Sequence, residues 1–173
     1  MAYRTGFGCA LTTSVRHPQQ GFSLIELMAV VAVIAILALI ALPSQMDRIV
    51  KEQVLEGIKL AELATKRVDA HWTNTGRLPE NNEALDLPVA EKIVSNRVSS
   101  IAVDKGAVHI SFGNQASGSL SGKTLSLRPA VVDDAPAVPI TWICSGSATP
   151  VKMSAKGDNR SDIPTHFLPL RCL

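Results

Sequence analysis

Sixteen apolar residues in a row, Leu27–Leu42, constrain this chain more than any other feature. Wound as a helix at 1.5 Å per residue, that run spans roughly 24 Å. Phe22, Leu24 and Ile25 extend it to a segment, 22–43, of about 20 residues, enough to cross a bilayer. An ordinary cleaved signal sequence has an apolar core of about 7–15 residues and a small-x-small exit. Here the core is longer, and the exit reads Ala41-Leu42-Pro43-Ser44. Residues 1–21 carry Arg4 and Arg16 and no acidic residue. Positive charge ahead of the apolar run places that end inside and the remainder outside. The expectation is a single-pass anchor followed by an exported part.

Within the apolar segment one residue is out of place. Glu26 has apolar neighbours on both sides, and a carboxylate near hydrocarbon is costly unless it is paired or sits at the polar edge. The 173 residues suggest one domain beyond the anchor rather than two. With 17 Lys plus Arg against 15 Asp plus Glu, the charge balance excludes a nucleic-acid coat protein.

After Pro43 the pattern becomes amphipathic. Val50, Val54, Ile58, Ala61, Ala64, Val68 and Trp72 recur at threes and fours, opposite Lys51, Glu52, Lys59, Glu62, Lys66 and Asp69. That spacing predicts a helix over 44–72 with one buried stripe. Pro43 removes one backbone hydrogen bond and predicts a kink at the junction rather than an end. Gly57 reads as a second soft point. Residues 73–97 are rich in turn formers, with a short helix expected within 83–94.

Strand-like runs follow at Ser99–Val103, Ala107–Phe112, Thr124–Leu127 with Val131–Val132, and Ile140–Cys144. Pro129 is expected to interrupt the third. Asp104-Lys105-Gly106 reads as a tight hairpin turn. Short strands joined by turns predict an antiparallel sheet of roughly four strands over 98–144. The helix stripe is the available cover for one face.

Three cysteines are present: Cys9, Cys144 and Cys172. If residues 1–21 are removed, Cys144 and Cys172 are the one pair left. An oxidising compartment would favour their bond, which would bound a loop over 144–172. No C-x-x-C or H-x-x-x-H spacing supports a metal site, and no cofactor is expected. Ser121-Gly122-Lys123-Thr124 resembles the end of a phosphate-binding loop, but Ser117 stands where that motif needs glycine. His71, His109 and His166 are scattered, and His109 is expected to face away from Val108 and Ile110. Trp72 and Trp142 are expected to pack. No catalytic constellation emerges.

Gly21-Phe22-Ser23-Leu24-Ile25-Glu26-Leu27, followed by the apolar run, resembles the processing motif of type IV prepilins. The resemblance implies a type IVa-like α+β pilin fold, a long N-terminal helix whose C-terminal half packs on the sheet. It implies a leader, 1–21, cut after Gly21 by a prepilin peptidase, with N-methylation of Phe22. The leader, at 21 residues, is longer than the handful usual for this subclass. Segment 22–43 would then be the membrane and filament-core helix, and 44–173 the head. Glu26 matches the family glutamate thought to pair with the amino terminus of a neighbouring subunit, and Pro43 matches the family's kink. Ile140–Cys144 and Leu168–Cys172 resemble the stretches that bound the family's disulfide loop, so Cys144 and Cys172 fit its paired cysteines.

By the same resemblance the chain is a non-enzymatic pilus subunit serving adhesion, twitching motility or DNA uptake. Its partners would be further copies or other pilins in a helical filament, the peptidase, and an inner-membrane platform with a separate ATPase. DNA or a host surface could be an external partner. It would sit in the inner membrane with its head outside, then in an extracellular pilus. The alternatives are a pseudopilin of a type II secretion system and a minor DNA-binding pilin. For the last, Lys152, Lys156 and Arg160 in the 144–172 loop are the candidate contacts to DNA phosphates.

Overall fold

The computed structural model describes residue 21 and residues 23–172, with the side chains of 40–45 and Arg171 outside the description. The leader 1–20 and Phe22 therefore lie outside the described residues. Residues up to Ile40 and residues Ala41–Leu173 form two separate compact units.

In the first unit the helix α1, Leu24–Thr75, begins. Ser23 stands just ahead of it, and its carbonyl accepts the Leu27 N–H at 3.1 Å. Glu26 lies in the first turn, where a carboxylate complements the helix dipole. The Ser23-x-x-Glu26 spacing is that of a capping box. From Leu24 to Leu39 every side chain is exposed, an almost wholly apolar surface left uncovered by the described residues. Among the described residues no helix is long and apolar enough to cross a membrane. The sequence run continues through Ile40, Ala41 and Leu42, whose side chains are outside the description.

In the second unit α1 ends three residues later than its stripe predicts. Thr73 and Thr75 donate their hydroxyls to the carbonyls of Asp69 and His71, at 2.9 and 2.7 Å, which holds them in the last turn. Gly76 then takes φ +64° and its N–H closes on the Trp72 carbonyl at 2.8 Å, a left-handed glycine cap. The predicted stripe is the buried one: Val54, Ala61, Ala64 and Val68 are within 1% of complete burial.

The stripe packs on an antiparallel sheet in the order β1 (Val98–Asp104), β2 (Ala107–Phe112), β3 (Thr124–Val131) and β4 (Thr141–Cys144), with a short β5 (Ser154–Ala155) beside β3. Long helix against antiparallel sheet is the α+β layering expected. Lys105 and Gly106 both have positive φ, 48° and 83°, as a two-residue hairpin turn of the mirror-image kind requires. Ala130 pairs with Thr141 on one side and Ala155 on the other. So β5 continues the line of β2 along β3.

Three expectations need correction. Pro129 does not interrupt β3, which runs through it. Proline gives the ladder no N–H, but its carbonyl accepts the Lys156 N–H at 2.9 Å. The short helix expected at 83–94 is two single 3-10 turns, Glu83–Leu85 and Ala90–Lys92. Gly57 is not a soft point. A Cβ there would come within 2.8 Å of the Phe112 ring, so glycine lets helix and sheet approach.

The connection after α1 is held by a buried side chain. Asn82 is 8% exposed. Its amide donates to the carbonyls of Pro88 and Ile101 at 2.9 and 3.1 Å, and its oxygen accepts the Val103 N–H at 2.6 Å. One side chain thus satisfies backbone groups of the edge strand β1, which would otherwise be open to pairing.

Candidate functional site

The residues that the sequence marks fall in two places, and the structure adds a third. Gly21, Ser23 and Glu26 lie at the start of α1. Gly21 and Glu26 are exposed, and among the described residues Glu26 makes no ion pair. A carboxylate on such an apolar helical surface would need a cation wherever that surface were buried. Pro43 is within α1, with its side chain outside the description.

The second place is the disulfide. Cys144, at the end of β4, is bonded to Cys172, with the Cα atoms 5.0 Å apart. The loop they bound is not simply a solvated surface. Ile163, Leu168 and Cys172 are 5%, 2% and 2% exposed and belong to the core. Segment Arg160–Asp162 is tied to β3. The Thr124 N–H donates to Asp162 Oδ1 at 2.6 Å, and the Asp162 N–H donates to the Thr124 carbonyl at 3.1 Å. The Ser126 N–H donates to Ser161 Oγ at 2.9 Å, while the Arg160 N–H donates to Ser126 Oγ at 2.8 Å.

Under this strap lies a polar pair that the sequence did not reveal. His109 and Ser126 face each other across β2 and β3, with Nδ1 and Oγ 2.9 Å apart. Both are buried, at 3% and 0% exposure. His109 does face away from the Val108 and Ile110 side, as alternation demands, but that second face is covered as well. The imidazole Nε2 is buried without a hydrogen-bond partner among the described residues. Burial pushes the His109 pKa down, the Arg160 charge pushes it further, and Asp104 and Asp158 partly offset this.

The candidate DNA contacts form no free basic patch. Lys156 pairs with Asp133 at 2.9 Å, and Arg160 pairs with Asp104 and, at 3.9 Å, with Asp158. Ser154 and Lys156 together hold the Asp133 carboxyl below the usual carboxylate range. Lys152 alone of the three is exposed without an ion pair among the described residues. Ser121–Thr124 forms a turn entering β3, not a helix start.

The third place is a groove of about 220 Å³ between α1 and the edge strand β4, lined by Ile58, Glu62, Thr65, Leu127, Trp142 and Cys144. Trp72 is buried as expected. Trp142 is half-buried, and its indole N–H donates to Asp69 Oδ1 at 3.0 Å. Burial raises the Asp69 pKa, and the indole hydrogen bond works the other way. Among the described residues no cluster could hold a metal ion.

A long helix on an antiparallel sheet, closed by a C-terminal disulfide loop and led by an exposed apolar helix, defines a filament-forming subunit with a stored hydrophobic stem. The comparisons with known proteins agree. The pilin family, described as a bacterial filament, matches residues 50–173, and the prokaryotic N-terminal methylation motif matches residues 16–42. A fimbrial protein of Neisseria meningitidis serogroup B is 32% identical over 163 residues, covering 89% of this chain and 94% of that one. The type IV major pilin protein PilE1 of Neisseria gonorrhoeae is 32% identical over 160 residues, covering 89% and 87%. The fimbrial protein EcpC of Eikenella corrodens is 33% identical over 137 residues, covering 78% and 87%.

The chain belongs to the type IV pilin family. Its role is that of a structural pilus subunit, not an enzyme.

Proposed function

We propose that this pilin is a major-type subunit, made as an inner-membrane precursor, cut after Gly21, methylated on Phe22 and assembled through its N-terminal helix. The observation that carries the reading is the joining, in one chain, of a methylation motif over 16–42 with a disulfide-closed pilin head. Several relatives matched over most of their length are named as type IV major pilins, which supports the major-type assignment over a pseudopilin.

The chemistry of assembly follows from Glu26. While Gly21 is attached, the nitrogen of Phe22 is an uncharged amide. Cleavage turns it into an ammonium group, four residues ahead of Glu26. In the dry core of a filament an unpaired carboxylate is strongly destabilised. The Phe22 ammonium of a neighbouring subunit removes that penalty, and only when the two helices are in register. Cohesion comes mainly from burying the exposed apolar side chains, worth about 25 cal/mol per Å². The pair sets register more than strength. A membrane peptidase, an inner-membrane platform and a separate ATPase complete the machinery, because the family's structural subunits do not supply their own energy.

Intact-mass measurement on subunits of sheared surface filaments tests this. The expected species begins at methylated Phe22 and is lighter by two hydrogens for the Cys144–Cys172 bond. A processed chain confined to the envelope and absent from filaments would move the pseudopilin alternative ahead. A chain still carrying residues 1–21 in a strain with active peptidase would sink the processing claim.

A further inference from the structure

The groove between α1 and β4 is open although its floor is apolar. Ile58, Leu127 and Cys144 form the floor, with the half-buried Trp142 ring as a wall. Among the described residues no side chain of the same subunit fills it. Its rim is acidic. Glu62 lines it directly, and Asp69 stands behind Trp142, bonded to the indole. Lys66 is 3.8 Å from Glu62, but both side chains are more than half exposed, so that pair holds the rim carboxylate loosely.

Elsewhere on the head is a feature of the opposite shape and charge. Val151 is 90% exposed at the tip of a turn closed by the Met153 N–H on the Pro150 carbonyl at 3.2 Å. Lys152 follows it, held at φ +66°, exposed and without an ion pair among the described residues. An apolar knob with a free cation next to it complements an apolar hole with an acidic rim. Leu170 is as exposed, at 89%, but the short helix that carries it packs beside β4, at the groove's own edge.

We propose that Val151 of one subunit seats in the groove of a neighbouring copy, with Lys152 against Glu62. The knob and the hole are different patches of one surface. Contacts of that kind are heterologous, and repeated without closure they generate an open helical assembly. The proposal rests on the pilus-subunit reading and adds a head-to-head contact that the N-terminal helices do not provide. The groove has room for an isopropyl group, so the contact excludes water from Trp142 without requiring the fold to move.

The test uses the full chain in filaments, with the photo-reactive residue p-benzoyl-phenylalanine placed at Val151. Irradiation is expected to give cross-linked dimers in filaments and none in detergent-dispersed monomers. The cross-links should map to peptides containing residues 58–65 or 141–144. In parallel, Lys152→Glu and Glu62→Lys should each lower the recovery of heat-resistant filaments by roughly threefold or more, and the double variant should restore it. Both positions are exposed, so disulfide formation and protease resistance should stay at wild-type level. Cross-links that fall elsewhere, or a Val151→Asp variant whose filaments dissociate at the wild-type temperature, would overturn the proposal while leaving the pilus reading intact. Absence of the wild-type chain from filaments would overturn both.

Discussion

Glu26 and His109 are both ionisable residues flanked by apolar neighbours in the sequence, and they predict different things. Glu26 is exposed in the subunit, and under the assembly proposed above it becomes buried. Glu26→Gln should leave cleavage after Gly21 and the folded head unchanged but reduce surface filaments by tenfold or more, scored by shearing yield against total processed subunit. Undiminished filament yield would remove its role in register. His109 is already buried. Its folded pKa lies below its unfolded value of about 6.5, so the unfolded chain binds more protons as the pH falls. The stability it contributes is complete above about pH 6.5 and is lost as the pH drops from there toward the folded pKa. Denaturant midpoints of the wild-type chain should fall between pH 7.5 and 5, and a His109→Gln variant should flatten that part of the slope. An equal slope in both would assign the acid sensitivity to other groups. The apolar stripe around these residues was legible, because a 3.6-residue period announces itself in order. The partner of His109 was not, because Ser126 and Arg160 reach it through the sheet and the loop, and sequence spacing records neither.

At the scale of elements, three local devices carry more stability than their composition suggests. Gly57 is the point of closest approach between α1 and the sheet. Gly57→Ala would gain up to about 1 kcal/mol of helix propensity. The added methyl meets the ring of Phe112, which is 1% exposed and has no room to move. Overpacking of about 1–3 kcal/mol should therefore outweigh the gain, and calorimetry should show a lower Tm; a raised Tm would contradict the packing described. Asn82→Ala should cost about 1–3 kcal/mol by leaving buried backbone groups of β1 and its neighbouring loop unpaired. Hydrogen exchange should quicken at Val103 in particular, and unchanged protection there would deny the bond. The disulfide joins residues 28 apart, so chain entropy alone predicts a loss of about 3.5 kcal/mol in Cys144→Ser with Cys172→Ser. An unfolding midpoint close to wild type would mean that the strap bonds suffice. Sequence placed the hairpin turn at Asp104-Lys105-Gly106, because turn chemistry is local, and the structure narrows it to Lys105-Gly106. It missed Asn82, which reads as one more turn former until the fold brings it to a strand edge, and it missed β5, two residues long and meaningful only beside β3.

The whole molecule divides its labour along the chain. The first unit, up to Ile40, offers an apolar surface that the described residues leave uncovered, and the second closes a core of its own. Sequence reached this division because an unbroken apolar run and an amphipathic stripe are different patterns on either side of Pro43. It did not reach the covering of the second sheet face, since the loop that supplies it has no period to read. That covering has a consequence for how the subunit is made. The face built by β2 and β3 around His109 and Ser126 is complete only when residues 160–172 return to it. Those residues follow every strand of the sheet in chain order. Until they dock, His109 and Ser126 remain wet. The head therefore stays unfinished until its last strap docks, and a chain truncated before residue 160 would leave His109 and Ser126 wet however well the rest of it folds.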